Sequence, residues 1–207
     1  MKDNLSYLLS AIEFVANVET KNSGLDSCES EILKQQPKWQ KYIEQQSKLL
    51  QEAIKIFKGY DKSDELKYFW QTLKNKEIPN KFSFKQLIQT ALLAYERGTL
   101  DDAYKMLFFI SAYYPKHYKT YLYLGSVVQS LYGVEEAATF FKTVTSIFAE
   151  PDLLFLAAEN EIHRENTTGA RDYLQKAKEA FVGRSNLTEY EEGLKTRIEE
   201  LLKLLNP

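Results

Sequence analysis

A recurring spacing of small residues dominates the second half of the chain. In three successive segments a small residue is followed, twelve positions later, by an alanine. Each pair lies 34 or 33 residues after the one before it. The pairs are Ala91 with Ala103, Gly125 with Ala137, and Ala158 with Ala170. Because antiparallel helices approach closely only where small side chains meet, this spacing predicts three copies of a helix–turn–helix unit.

Larger apolar residues flank every pair at a distance of one helical turn. They lie four positions before the leading small residue and four positions after the trailing alanine, which places them on the same helix faces. These residues are Leu87 and Leu107, Tyr121 and Phe141, and Leu154 and Leu174. A period near 34 residues with this pattern is typical of the tetratricopeptide repeat, and three repeats suffice to bury a continuous core. We predict an all-α tetratricopeptide solenoid with repeats at about 84–117, 118–150 and 151–183.

Amphipathic segments before the repeats predict further helices. Residues 1–60 are expected to form a helical N-terminal extension, which includes a long helix over Lys38–Phe57 that ends before Gly59. Another helix is predicted over Asp64–Lys76. The tetratricopeptide domain as a whole is predicted to cover residues 61–207. The extension could pack over the repeats, extend a dimer interface or fill the binding groove, and the sequence does not choose between these.

The C-terminal segment predicts a helix that closes the solenoid. Thr188 is followed three residues later by Glu191, which is the spacing of a capping box at a helix start. A helix over about 188–205 can then cover the open face of the last repeat. The composition agrees with a helical chain, because 8 Gly and 5 Pro among 207 residues are too few to punctuate a many-stranded β-fold.

Charge and motifs point away from enzymes and from nucleic-acid binding. The formal net charge of -2 gives no general attraction to nucleic acid or to anionic lipid. Two histidines and one cysteine exclude a multi-histidine metal site and an intrachain disulfide, and no glycine-rich phosphate loop is present. The longest apolar stretch is too short to span a bilayer, so we expect no membrane insertion. We expect no catalytic residue, no metal and no cofactor.

The first helix of each repeat is expected to line the concave side of the solenoid. Side chains at spacings of four and three on these helices would point into a groove. They are Ile88, Leu92 and Tyr95, then Leu122, Ser126 and Gln129, then Phe155, Glu159 and Ile162. An apolar groove with a few polar groups suits an extended peptide with spaced hydrophobic anchors. The alternative is that some of these residues are core, buried by the N-terminal helices or by a dimer partner.

Several stretches carry more than the generic repeat pattern. They are Leu87–Ala103 with its Asp101-Asp102-Ala103 run, Tyr123-Leu124-Gly125 leading to Glu136-Ala137, and Glu150-Pro151 followed by Ala157-Ala158-Glu159. Through them, residues from about 64 to 182 resemble the class II (LcrH/SycD-type) tetratricopeptide chaperones of type III secretion translocators. The proline and the Ala-Ala-Glu triplet are the more telling part, because the generic repeat does not demand them.

The resemblance implies a function and partners. Such chaperones are cytoplasmic and all-helical, and they hold translocator proteins before export by binding a short segment with proline and aliphatic anchors. Aromatic residues of the first repeat's first helix line the groove in that family, whereas here only Tyr95 is aromatic at the matching positions. The family also dimerises through its N-terminal helix, here about Asp64–Lys76. We expect a chaperone for a translocator or effector. The alternative is an adaptor within a larger assembly such as a secretion apparatus.

Overall fold

The described part of the chain consists of α-helices joined by turns and short loops. The computed structural model describes residues 47–60, 81–114 and 116–205, and all regular secondary structure in these ranges is α-helix. The helices are α1 Ser47–Tyr60, α2 Lys81–Glu96, α3 Leu100–Tyr113, α4 Tyr118–Tyr132, α5 Val134–Thr145, α6 Pro151–His163, α7 Thr167–Glu179 and α8 Glu189–Leu204. The predicted fold class is confirmed. None of the described helices is long and apolar enough to cross a membrane.

Some predicted helices fall outside these ranges. The helix expected over Asp64–Lys76 and everything before Ser47 lie outside the described residues. The predicted end of the long helix at Phe57 is wrong, because α1 continues through Gly59 to Tyr60. The Tyr60 hydroxyl bonds to the side chains of Thr99 and Asp102, and these tertiary contacts hold the last turn in place.

The chain divides into two compact units between Val127 and Val128, within α4. The first unit holds α1, α2, α3 and the start of α4, and the second holds the end of α4 and the helices α5 to α8. Helix α1 therefore belongs to the same unit as the first helix pair. The predicted domain boundary at residue 60 stays a prediction.

The small residues and their flanks are buried, as the repeat spacing requires. All twelve residues of the pattern are buried from solvent: Leu87, Ala91, Ala103, Leu107, Tyr121, Gly125, Ala137, Phe141, Leu154, Ala158, Ala170 and Leu174. Every position of the pattern is therefore in the core, and the same 33- to 34-residue spacing that predicted the fold separates equivalent buried residues of successive repeats.

In the first unit, α1 packs against α3. The buried residues of α1 are Leu50, Ala53 and Phe57, which spacings of three and four place on one face. The Phe57 ring packs edge-on against Phe109 with 5.6 Å between ring centroids. From Met106 to Ile110 every side chain of α3 is fully buried. A helical stretch that is apolar on all sides must be enclosed, and α1 supplies part of the enclosure of this one.

In the second unit, α8 packs against α7 at the C-terminal end. Its Leu194 and Ile198 join a core cluster with residues of α6 and α7. The predicted capping box is present, because the Thr188 hydroxyl accepts from the Glu191 backbone N–H and the Thr188 N–H donates to the Glu191 carboxylate. The predicted capping helix and α8 agree to within one residue at each end.

Candidate functional site

The nine predicted binding residues lie on three helices. Helix α2 carries Ile88, Leu92 and Tyr95, α4 carries Leu122, Ser126 and Gln129, and α6 carries Phe155, Glu159 and Ile162. On each helix, the spacing of four and three places the three residues on one face. The first five residues along α2 and α4 belong to the first unit, and the other four belong to the second.

In the first unit, apolar surface becomes available toward the C-terminal end of α2. Ile88 is only 8% exposed, Leu92 is half-buried, and Tyr95 is 37% exposed. On α4, Leu122 and Ser126 are half-buried, and the Ser126 hydroxyl donates to the Leu122 carbonyl at 3.4 Å. Leu92 and Tyr95 are therefore the accessible residues among the three predicted on α2, while Ile88 contributes mainly to the core.

The turn that follows Tyr95 is fixed by its own hydrogen bonds and by α1. The Gly98 N–H donates to the Tyr95 carbonyl at 2.9 Å, and Gly98 has a φ of +75°, which only glycine adopts without strain. The Arg97 guanidinium lies over the Tyr60 ring, 5.6 Å from its centroid. Together with the Tyr60–Thr99 hydrogen bond, these contacts hold the end of α2 on which Tyr95 lies.

In the second unit, one arginine of α8 contacts two of the predicted residues. Phe155 is only 7% exposed and belongs to the core cluster, whereas Glu159, Ile162 and Gln129 are half-buried. The Arg197 guanidinium of α8 lies over the Phe155 ring, 5.2 Å from its centroid. Its Nη2 donates to Glu159 Oε1 at 2.9 Å.

Sequence reasoning missed Arg197. It lies 38 residues from Glu159 and next to the buried Ile198, at the border of the apolar stripe of α8. Charged residues at the border of such a stripe are ordinary on a surface helix, so its periodicity did not single this one out. The one available hint was the prediction that α8 covers the end of the last repeat.

A network of polar side chains holds α6 between its neighbours. Arg164 Nη1 donates to both Glu161 oxygens at 2.8 and 2.9 Å, and its Nη2 donates to Glu135 at 2.7 Å. The Asn166 amide donates to Glu161 at 2.6 Å, and its Oδ1 accepts from the Gly169 N–H. The hydrogen bond from Arg164 lowers the pKa of Glu135, and the same contact raises the pKa of Arg164. This network positions the helix that carries Phe155.

A cleft of about 690 Å³ opens on another side of the second unit. The residues that line the cleft come mainly from the end of α5 and from α7. They include Lys142 and Thr145 of α5, Tyr173 and Lys176 of α7, and Leu154 of α6. None of the nine predicted residues lines it. Across the described ranges, no group of three or more His, Cys, Asp or Glu side chains is arranged to hold a metal ion.

The comparisons with known proteins rest on structure. No protein-family model matches the chain, and no curated protein matches it in sequence. The type III secretion translocator chaperone SycD of Yersinia enterocolitica matches with a TM-score of 0.55, at 21% identity, over 64% of this chain and 96% of SycD. The chain has the fold of this chaperone. The resemblance predicted from the sequence is confirmed at the level of the fold.

Two further solved structures extend the comparison. PcrH of Pseudomonas aeruginosa matches with a TM-score of 0.54, at 22% identity, over 62% of this chain and 95% of PcrH. A chain of a CopN–Scc3 complex matches with a TM-score of 0.50, at 15% identity, over 96% of this chain and 98% of that one. SycD has also been solved with a peptide of the translocator YopD, and PcrH with the chaperone binding region of PopD.

Proposed function

We propose that this chain is a non-enzymatic chaperone that binds an extended segment of a type III secretion translocator or effector before export. The observation that carries the proposal is the fold shared with SycD and PcrH, both of which have been solved with translocator segments. The chain would act in the cytoplasm, where the client is made. Its role is stoichiometric, because it keeps an apolar segment of the client from associating prematurely.

The first unit supports this proposal with accessible apolar side chains on the first helices of two repeats. Leu92 and Tyr95 on α2 and Leu122 on α4 are partly exposed, and Ser126 adds a polar group. A client side chain that becomes fully buried on such a surface contributes about 1.5–3 kcal/mol. Part of that gain is lost in ordering the client segment, so several anchors are needed for micromolar affinity or better.

The second unit supports it with a different surface. Gln129 and Ile162 are half-buried, while Phe155 and Glu159 lie under Arg197. We propose that a client contacts this surface through Ile162 and through the charged pair rather than through the Phe155 ring. The full set of nine residues stays a prediction, and each unit is proposed as a contact surface in its own right.

Co-expression with neighbouring reading frames tests the proposed function. The chain is produced together with each neighbouring product, and the soluble fraction is compared with that of the product expressed alone. We expect one client to become soluble only in the presence of the chain and to co-purify with it at a fixed ratio. If no neighbouring product gains solubility or co-purifies, the chaperone proposal is contradicted.

A second candidate function is that of an adaptor in a larger assembly. The observation favouring it is the match with a chain of the CopN–Scc3 complex, which covers 96% of this chain, against 64% for SycD and 62% for PcrH. Capture of the tagged chain from its native cell separates the two candidates. A chaperone brings down one client that is insoluble alone, whereas an adaptor brings down several folded subunits.

Dimerisation forms part of the proposal as well. We propose a homodimer through the N-terminal helices, which would include the segment Asp64–Lys76 outside the described residues. Sedimentation equilibrium of the purified chain measures this directly. A single species at the mass of one 24.1 kDa chain over all concentrations would contradict it.

A further inference from the structure

Arg197 differs from the other ion-paired arginines of the second unit. Both terminal nitrogens of Arg164 are taken by carboxylates, and only 26% of its side chain is exposed. Arg184 contacts Glu150 and Glu191 and also donates to a backbone carbonyl. Arg197 is 64% exposed and, within the described part of the chain, pairs with Glu159 alone. Most of its donors therefore face solvent.

Two contacts of Arg197 restrain the position of its guanidinium. The Phe155 ring packs under the guanidinium, and Glu159 holds one terminal nitrogen from the side. Phe155 itself belongs to the core cluster, so the ring under the guanidinium is held in place by buried packing. A guanidinium that lies over an aromatic ring and is hydrogen-bonded at one end loses little freedom when its other donors form two parallel hydrogen bonds to a carboxylate.

We propose that Arg197 is a recognition residue for a side-chain carboxylate, an Asp or Glu within the segment that the second unit binds. The inference rests on the proposed function and deepens it, because it assigns a charged position to a client segment whose other anchors are apolar. Ile162 is half-buried on the same face of α6 as Phe155 and Glu159, and it provides apolar surface beside the charge. The expected ligand is therefore an extended peptide with an acidic residue next to an aliphatic one.

Selection from a random peptide library tests the inference without a known client. The peptides are displayed with blocked termini, so that any carboxylate comes from a side chain. The full chain is compared with the variant Arg197→Met, which keeps an apolar stem over Phe155 but loses the charge. Lys195→Met is the matched control, because it removes a cation from an exposed position of the same helix. A thermal melt verifies that each variant folds.

We expect peptides enriched by the wild-type chain and by Lys195→Met to carry an Asp or Glu at one fixed position, and those enriched by Arg197→Met to lack it. The affinity of one enriched peptide is then compared with its Asp→Asn or Glu→Gln partner by calorimetry. The wild-type chain should prefer the acidic form by about threefold to tenfold, as for a partly exposed charge-assisted hydrogen bond. The preference should shrink as ionic strength rises and vanish in Arg197→Met.

The outcomes distinguish this inference from the proposed function. If no peptide is enriched, the proposed function is contradicted and this inference falls with it. If peptides are enriched without an acidic position, or if Arg197→Met keeps the acidic preference, only the inference is overturned. Arg197→Lys keeps the charge but not the planar fork, and full wild-type preference in that variant would overturn the guanidinium fork as the cause. Calorimetry with the Asn or Gln form of the enriched peptide carrying a free C-terminal carboxylate is the last check, and tighter binding of this form than of the blocked acidic form would also overturn the assignment.

Discussion

At the residue scale, each of the three turns within the repeats contains one residue with a positive φ, and two of these residues are glycine. Gly98 and Gly133 have φ values of +75° and +91°, a region that glycine enters at little cost. The turn between α6 and α7 has no glycine there, and Glu165 takes the left-handed conformation with a φ of +59°. A side chain in that conformation costs about 1–2 kcal/mol, so this turn is the strained one of the three.

Replacing Glu165 with glycine should therefore stabilise the chain. Relief of the left-handed strain outweighs the extra flexibility of the unfolded chain, and we expect the free energy of unfolding to rise by about 0.5–1 kcal/mol. Glu200→Gly, in the interior of α8, is the matched control and should lower it by about 1 kcal/mol. Urea denaturation measures both changes. A loss of stability in Glu165→Gly would show that contacts of the glutamate side chain offset the strain.

At the element scale, the start of α8 depends on the charge of Glu191. Hydrogen bonds from the Thr188 N–H and hydroxyl lower the pKa of Glu191 below its ordinary value of 4.5, and Arg184 adds to the effect. A carboxylate with a lowered folded pKa stabilises the fold above its unfolded pKa. This stabilisation is lost as the pH falls through the folded value.

The pH dependence of the melting temperature tests this cap. At neutral pH we expect Glu191→Gln to melt below the wild-type chain, because glutamine keeps the shape of the cap but not its charge. The difference should shrink as the pH falls below 4.5 and disappear once Glu191 is protonated in the folded chain. Glu200→Gln, at an exposed position of α8 far from the cap, is the control. A difference that stays constant from neutral to acid pH would contradict a charge-dependent cap.

Helix α1 should be a structural part of the first unit rather than an appendage. Phe57 is fully buried and packs edge-on against Phe109 of α3. Truncating such a side chain removes its burial and leaves a cavity, so Phe57→Ala should cost about 3–5 kcal/mol. Hydrogen exchange should show lost protection along α3 as well as α1. The exposed Lys55→Ala is the control, and unchanged protection of α3 in Phe57→Ala would contradict this role.

At the scale of the whole molecule, the local features of the chain were predictable and the long-range ones were not. The spacing of small residues predicted the helix pairs, because packing of a helix against its neighbour in the chain leaves a periodic trace. The burial of Phe155 in a cluster with Leu194 and Ile198 and the position of Arg197 over the Phe155 ring depend on segments tens of residues away. The same holds for the passage of α1 through Gly59, which contacts to Thr99 and Asp102 stabilise.

The most direct test of the account is the affinity of a client segment for the chain with and without the Tyr95 side chain. Tyr95 is partly exposed, so Tyr95→Ala should leave the helical fold intact, and Tyr190→Ala removes another exposed tyrosine as the control. The account predicts by calorimetry that Tyr95→Ala weakens binding at least tenfold, whereas Tyr190→Ala binds as the wild-type chain does. Equal affinity of all three proteins for the client would contradict the placement of its binding surface on α2.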